Sequence, residues 1–111
     1  MHTLVMSRST LSHGFGGFER QCEDLCAGFV KAGHKVTVLT TSRKDGVEEE
    51  ERSGYTVKFL SPSTPMKLSR SWFNRALSEV RKIHRDDPID VIHSNEFAAK
   101  GAMGLAKKNG I

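Results

Sequence analysis

Long apolar runs are missing from this 111-residue chain. None approaches the roughly 20 residues that a membrane-spanning helix needs. The opening Met1–Met6 lacks both the basic start and the extended apolar stretch of a signal peptide. These absences make a cytoplasmic protein the expectation. Nucleic-acid signatures are missing too: there is no paired Cys/His finger, no aromatic RNA-binding motif and no isolated basic tail. A nucleic-acid partner is therefore not expected. Cysteine is scarce, with Cys22 and Cys26 the two present. They stand four apart in a predicted helix, which suits small core residues in a reducing compartment and not a disulfide framework. No further ligands lie near them in sequence, so no metal site is expected. Internal repeats are absent, and one short acidic run is the only biased segment.

What remains has the balance of an ordinary globular domain, long enough for one core. The net charge of +4 is modest. It is compatible with an anionic ligand or an anionic membrane surface and requires neither.

The apolar pattern then gives the order of elements. "TLVM", Thr3–Met6, reads as a first strand. From Gly17 the period becomes helical: Phe18, Cys22, Leu25, Cys26, Phe29 and Val30 form one stripe, with Glu19, Arg20, Glu23, Asp24 and Lys31 opposite. Gly33 ends that helix, and "HKVTVLTT" follows as a buried strand. Strand, helix and strand make a right-handed βαβ unit. Residues 42–54 carry "EEEER" and no apolar stripe, so they read as an exposed loop, since adjacent carboxylates repel and prefer water. "GYTVKFL", Gly54–Leu60, is a third strand, and its helix-free link leaves both a parallel and an antiparallel edge position open.

Pro62 and Pro65 mark a turn before a second helix with Leu68, Trp72, Phe73, Ala76, Leu77, Val80 and Ile83 on its apolar side. Its other side carries Lys67, Arg70, Arg75, Arg81, Lys82 and Arg85. That basic side reads as a solvated face, and it leaves peripheral contact with the inner membrane face open. "IDVIHS", Ile89–Ser94, is a fourth strand, and Ser94 or Asn95 can cap a third helix over "EFAAKGAMGLAKK" before a last strand begins at "NGI". The expected fold class is α/β: a Rossmann-like, doubly wound, mostly parallel sheet of about four strands with about three flanking helices. Ligands should lie beyond the carboxyl ends of the strands, at the switch between the first and the fourth.

"SHGFGGFERQ", Ser12–Gln21, sits at that end and holds three glycines in four positions. Gly16 and Gly17 fall at the predicted start of a helix, where free N–H groups and the positive end of the helix favour a phosphate or diphosphate. A plain glycine N-cap fits the same residues. A dinucleotide-binding dehydrogenase is the enzyme alternative. Its G-x-G-x-x-G fingerprint is half met by Gly14 and Gly16, with Glu19 in the third place. The glycines also begin about seven residues after Met6, where the fingerprint turns directly off the strand. Ser42, Arg43 and Lys44 after the second strand leave an NADP reading open. A non-catalytic binding module of the same fold is the third alternative.

"GGFERQCEDLCAGFVKAGHKVTVLTT" resembles the opening of glycosyltransferase family 4, the N-terminal half of the GT-B fold, through Gly16, Gly17, Glu19, Gly33, His34 and Val36. "DVIHSNEF" is similar to that family's segment on the fourth strand. The likeness runs over nearly the whole chain. It implies part of a retaining glycosyltransferase that moves a sugar from a nucleotide-sugar donor to an acceptor hydroxyl, in glycan, lipopolysaccharide or lipid-linked glycan synthesis, with no metal or other cofactor. The N-terminal domain would shape the acceptor site, and Gly16 and Gly17 would face the donor diphosphate. A C-terminal domain would supply most nucleotide-sugar contacts. His13, Glu19, Asn95 and Glu96 are the candidates for acceptor or sugar binding, and His93 and Asn95 for the reaction itself. His93 and His34 also fit plain structural roles.

Many members carry a second histidine where this chain has Asn95. Asparagine can hydrogen-bond a sugar hydroxyl but takes no proton at neutral pH. The leaving phosphate can accept the proton in retaining transfer of this type, so the activity does not require a side-chain base there. Residues 1–111 are thus expected to be a partial acceptor-side domain. Without the donor-binding domain they are expected to be inactive alone, with a dimer through the uncovered surface left open.

Overall fold

The structure is a computed structural model, and it describes residues 1–10, 13, 16–95, 98 and 107. Its elements run β1 (His2–Met6), α1 (Gly17–Lys31), β2 (Lys35–Thr41), β3 (Glu49–Arg52), β4 (Tyr55–Leu60), α2 (Arg70–Asp86) and β5 (Val91–Ser94). The strands form one sheet in the order β3-β4-β2-β1-β5. All neighbours are parallel except β3 and β4. β1 is an inner strand, with β2 on one side and β5 on the other. The chain reverses its direction of winding between β1 and β5, as the sequence pattern predicts.

Alternation along the strands divides the core in two. Val5, Val36, Val38, Tyr55, Val57 and Phe59 face α1, where Cys22 and Cys26 close the layer. Leu4, Met6, Leu39 and Leu60 face α2, against Trp72, Ala76, Val80 and Ile83. Trp72 is fully enclosed, and its indole N–H donates to the Ala98 carbonyl at 3.0 Å. A polar group that deep needs such a partner.

α1 ends in a Schellman motif. His34 N–H bonds the Phe29 carbonyl and Gly33 N–H the Val30 carbonyl, each at 3.0 Å. Gly33 takes φ +93 to allow it. The sequence places α2 correctly too. Ser69 caps it by accepting from Trp72 N–H, and Asp87, just before Pro88, closes it.

The acidic run departs from the expected loop. Glu49–Arg52 is an antiparallel edge strand on β4, so the sheet has five strands among the described residues. Period-two alternation separates the carboxylates onto two faces, which removes the repulsion that argued for a loop. Glu51 accepts from the Thr56 hydroxyl at 2.6 Å, Glu50 pairs with Arg43 at 3.4 Å, and Arg52 reaches Glu23 on α1. The turn is the two-residue Ser53–Gly54, with φ +50 and +85, which is the backbone a tight right-twisted hairpin requires. β4, whose direction the sequence left open, runs parallel to β2. Two helices are seen among the described residues. The expected third helix over residues 96–108 and the strand start at 109–111 lie outside them, apart from the single residues Ala98 and Lys107.

Candidate functional site

The carboxyl ends of β1 and β5 meet the start of α1, and most of the sequence-predicted residues gather there. Asn95 follows β5 and is tied to β1 through its backbone N–H, which donates to the Met6 carbonyl at 2.9 Å. β5 runs in register with β1, Val5 opposite His93 and Met6 opposite Ser94. His93 therefore shares Val5's face and turns toward α1, where its ring meets the edge of Phe29 with centroids 6.3 Å apart. Gln21, Cys22 and Leu25 on α1, with His93 and Asn95, line a cavity of about 280 Å³.

Gly16 is the N-cap of α1, in extended backbone with φ −175 and ψ 170, and its carbonyl accepts the Arg20 N–H at 3.0 Å. Having no side chain, it leaves the orphan N–H groups of the first turn without the usual capping oxygen. Gly17 opens the helix beside free space, since a Cβ there would meet nothing within 4 Å. Gly16 differs: a Cβ would stand 3.1 Å from Oε2 of Glu19. Glu19 thus folds its carboxylate back over the helix start, where a negative charge is favoured. The expected glycine-opened helix beside the sheet tip is what the structure contains.

His13 does not join this group. Its Nδ1 accepts from Thr10 N–H at 3.0 Å, and its Nε2–H donates to the Thr41 carbonyl at 2.9 Å, which fixes the tautomer. The ring stands edge-on to Phe59 with centroids 5.6 Å apart. Both nitrogens are thus occupied within the chain. His13 instead lines a second cavity, about 270 Å³, with Arg43, Lys44, Asp45, Pro65 and Met66 beyond β2 and β4. His34 is structural in its contacts: its Nδ1 meets the Thr3 hydroxyl at 3.1 Å, and its ring stacks on Phe29. Glu96 lies outside the described residues.

Arg43, the basic residue that kept an NADP reading open, is engaged by Asp45 at 2.6 Å and Glu50 at 3.4 Å and lies over the Phe59 ring. Two carboxylates around one guanidinium leave little positive field for a 2′-phosphate.

Sequence reasoning missed two charged centres. Glu23 on α1 receives Arg52 Nε and the Ser53 hydroxyl, both at 2.7 Å, and the Tyr55 hydroxyl. Burial alone would raise its pKa, but these donors hold the carboxyl below the ordinary range. Tyr55 is pushed well up by burial and by that carboxylate. Glu79 is the second centre, buried on α2 between Arg75 at 2.8 Å and Lys58 at 3.5 Å. Arg75 therefore turns to this pair and not to the solvated basic face. The signals were there, an acid on an apolar helix face and an arginine beside a Ser-Gly turn, but their partners are remote in sequence. Among the described residues no three His, Cys, Asp or Glu side chains converge as a metal centre. No helix among them is long and apolar enough to cross a membrane.

The sheet order, the helix start at its switch point and the cavity beside Asn95 define a Rossmann-like α/β domain with its open site at the carboxyl end of the strands. Comparison with known proteins makes this specific. The sequence profile of Glycosyltransferase Family 4 matches residues 15–111. The chain belongs to that family. Among solved structures it is similar to a sucrose-phosphate synthase from Thermosynechococcus elongatus, at 16% identity and a TM-score of 0.72. The superposition covers 99% of this chain and 30% of that one, so the chain spans under a third of the length of its structural neighbour. No curated protein sequence matches it.

Proposed function

We propose that the chain forms the acceptor-side part of the cleft of a retaining glycosyltransferase, with the diphosphate of a nucleotide-sugar donor facing Gly16 and Gly17. The observation that carries this is the start of α1, which takes no side-chain capping hydrogen bond, is open to space at Gly17 and is set at the same sheet end as Asn95; the Glu19 carboxylate that lies over it has to swing aside for the diphosphate. Backbone N–H groups and the helix dipole favour an anion there. The sugar would then lie toward the cavity of about 280 Å³, within reach of the Asn95 amide. Asn95 donates or accepts a hydrogen bond and carries no proton away, so the leaving phosphate accepts the acceptor's proton. Family membership supports the transferase class. No metal is needed in this reading, because helix-terminal donors and basic groups of a second domain balance the diphosphate charge. The acceptor is a sugar, free or lipid-linked. The exposed Lys67, Arg70, Arg81, Lys82 and Arg85 would serve an anionic membrane surface in the second case.

Gly17→Asp in the full-length protein tests the reading. An acid in the first turn suits the helix, so folding stability should hold or rise. The same charge repels a diphosphate, and donor affinity by calorimetry should fall at least about tenfold. Unchanged donor affinity in a folded Gly17→Asp protein would show that the helix start does not receive the donor.

A further inference from the structure

The end of β2 ties together the segments that follow β1, β2 and β4. The Thr41 hydroxyl donates to the Arg8 carbonyl at 2.7 Å and accepts the Met66 N–H at 2.8 Å, and the Thr41 carbonyl accepts from His13 Nε2 at 2.9 Å. Ser42 repeats the link: its N–H donates to the Ser63 hydroxyl at 2.9 Å and its hydroxyl to the Ser63 carbonyl at 2.8 Å. All three segments line the cavity of about 270 Å³.

Met66 sits in this rim against its backbone preference. Lys67 N–H bonds the Thr64 carbonyl at 3.1 Å, which closes a turn with Pro65 second and Met66 third. Met66 takes φ +62 there, in a place where such a turn favours glycine or asparagine. A methionine is strained in that region. The residue is also 42% exposed, so neither the backbone nor the core explains its side chain. The charges beside it balance. Arg43 and Lys44 are matched by Asp45 and Glu50, and Arg43 pairs with both acids. Asp45 accepts from Arg43 and from the Val47 N–H at 3.2 Å, which leaves its oxygens further acceptor capacity. Lys44 is exposed and offers donors.

We propose that this cavity is a subsite for an uncharged sugar ring of the acceptor, an inference that rests on the transferase reading above. A sugar ring presents C–H groups, which suit Pro65 and Met66. Its hydroxyls donate and accept at once, which suits Asp45 and Lys44. The balanced charge disfavours a phosphorylated ring. The ring held here is not the one that reacts. In the sheet order β2 and β4 stand two and three strand spacings from β5, roughly 10–15 Å from the Asn95 end of the cleft. The acceptor is therefore a saccharide of two or more units, with its reacting hydroxyl toward Asn95 and another ring against Met66.

The full-length protein with isotope-labelled methionine methyl groups, titrated by NMR with maltose, cellobiose and lactose in the absence of donor, tests this. The Met66 methyl resonance, assigned by its loss in Met66→Gly, should shift with at least one disaccharide and stay in place with inorganic phosphate. Met66→Gly relieves the turn, so the melting temperature should hold or rise. The same change should weaken binding of that disaccharide at least about fivefold through the lost apolar contact. A Met66 methyl unmoved by all three disaccharides, a larger shift with inorganic phosphate, or unchanged disaccharide affinity in Met66→Gly would each overturn the proposal. No donor is present, so the outcomes separate: an unmoved methyl in a protein that still transfers sugar removes this subsite alone, and a shifted methyl in a protein that binds no nucleotide-sugar removes the transferase reading alone.

Discussion

Arg52, on the outermost strand, aims its Nε at the Glu23 carboxylate of α1 from 2.7 Å. Ser53 and Tyr55 donate to the same carboxylate, so one acid on the helix holds both arms of the β3–β4 hairpin and its turn. The sequence separates these groups by about thirty positions. Charge on an edge strand also discourages pairing with other chains. Here the charge is spent inward, on docking the hairpin.

Glu23→Gln should cost about 2 kcal/mol, the worth of charge-assisted hydrogen bonds at a site only 14% exposed. The effect should depend on pH with a definite sign. The folded-state pKa of Glu23 is depressed, so its stabilisation is complete above the ordinary unfolded carboxylate value and is lost as pH falls through the lower, folded value. Urea melts of wild type and variant should differ at neutral pH and converge well below the carboxylate range. A gap that persists in acid would mean the carboxylate's charge is not what holds the hairpin.

Glu79 makes a stiffer case. It is 4% exposed on a helix whose other face is basic, and it pairs with Arg75 and Lys58. Glu79→Ala would leave two cations facing each other across a partly buried groove. A loss of roughly 2–3 kcal/mol is expected, below the value for fully buried pairs because Arg75 and Lys58 keep some solvent. Glu79→Met fills the same space but leaves the same cations, so it should recover only the packing part. Chemical denaturation of the pair of variants separates the two contributions.

Gly54 is fixed by its backbone and by its neighbour. It holds φ +85, and a Cβ there would stand 3.0 Å from Cγ1 of Val30 on α1. Gly54→Ala should cost about 1–3 kcal/mol through backbone strain alone. Pairing Gly54→Ala with Val30→Ala should recover only the steric share. Thermal melts of the two single variants and the double variant make that cycle.

Much of this architecture could be read from the chain because it rests on short-range patterns. The stripe from Cys22 to Val30 and the stop at Gly33 located α1, and the threonine-rich "KVTVLTT" located β2. Gly16 and Gly17 were legible as a helix start because glycine and the change of period coincide there. β3 was not, since four adjacent glutamates look solvated until Arg43 and Thr56 arrive from elsewhere and Arg52 meets Glu23 on α1. The Ser53–Gly54 pair was the local signal for that hairpin, and the carboxylates masked it. The surroundings of His13 were hidden for the same reason. Nothing near it in sequence reveals that the end of β2, Thr41, will take its Nε2 proton.

Asn95 gives the sharpest test of how the cleft works. Its N–H bond to Met6 fixes the backbone, and its side chain borders the cavity. Asn95→Ala should leave the fold intact and lower sugar transfer by the full-length protein about tenfold to a hundredfold, the range for one lost polar contact of 1–3 kcal/mol. A histidine there keeps a hydrogen-bonding side chain of similar reach, so Asn95→His should retain activity while changing its pH dependence. An imidazole titrates near pH 6.5, and its protonation would alter the charge beside the reacting sugar, whereas asparagine has no proton to lose. The Asn95→His profile of kcat/KM should therefore gain a limb near neutrality that wild type lacks. If the profiles coincide, or if Asn95→Ala transfers sugar at the wild-type rate, the side chain at this position does not touch the sugar, and the reacting centre must sit away from the end of β5.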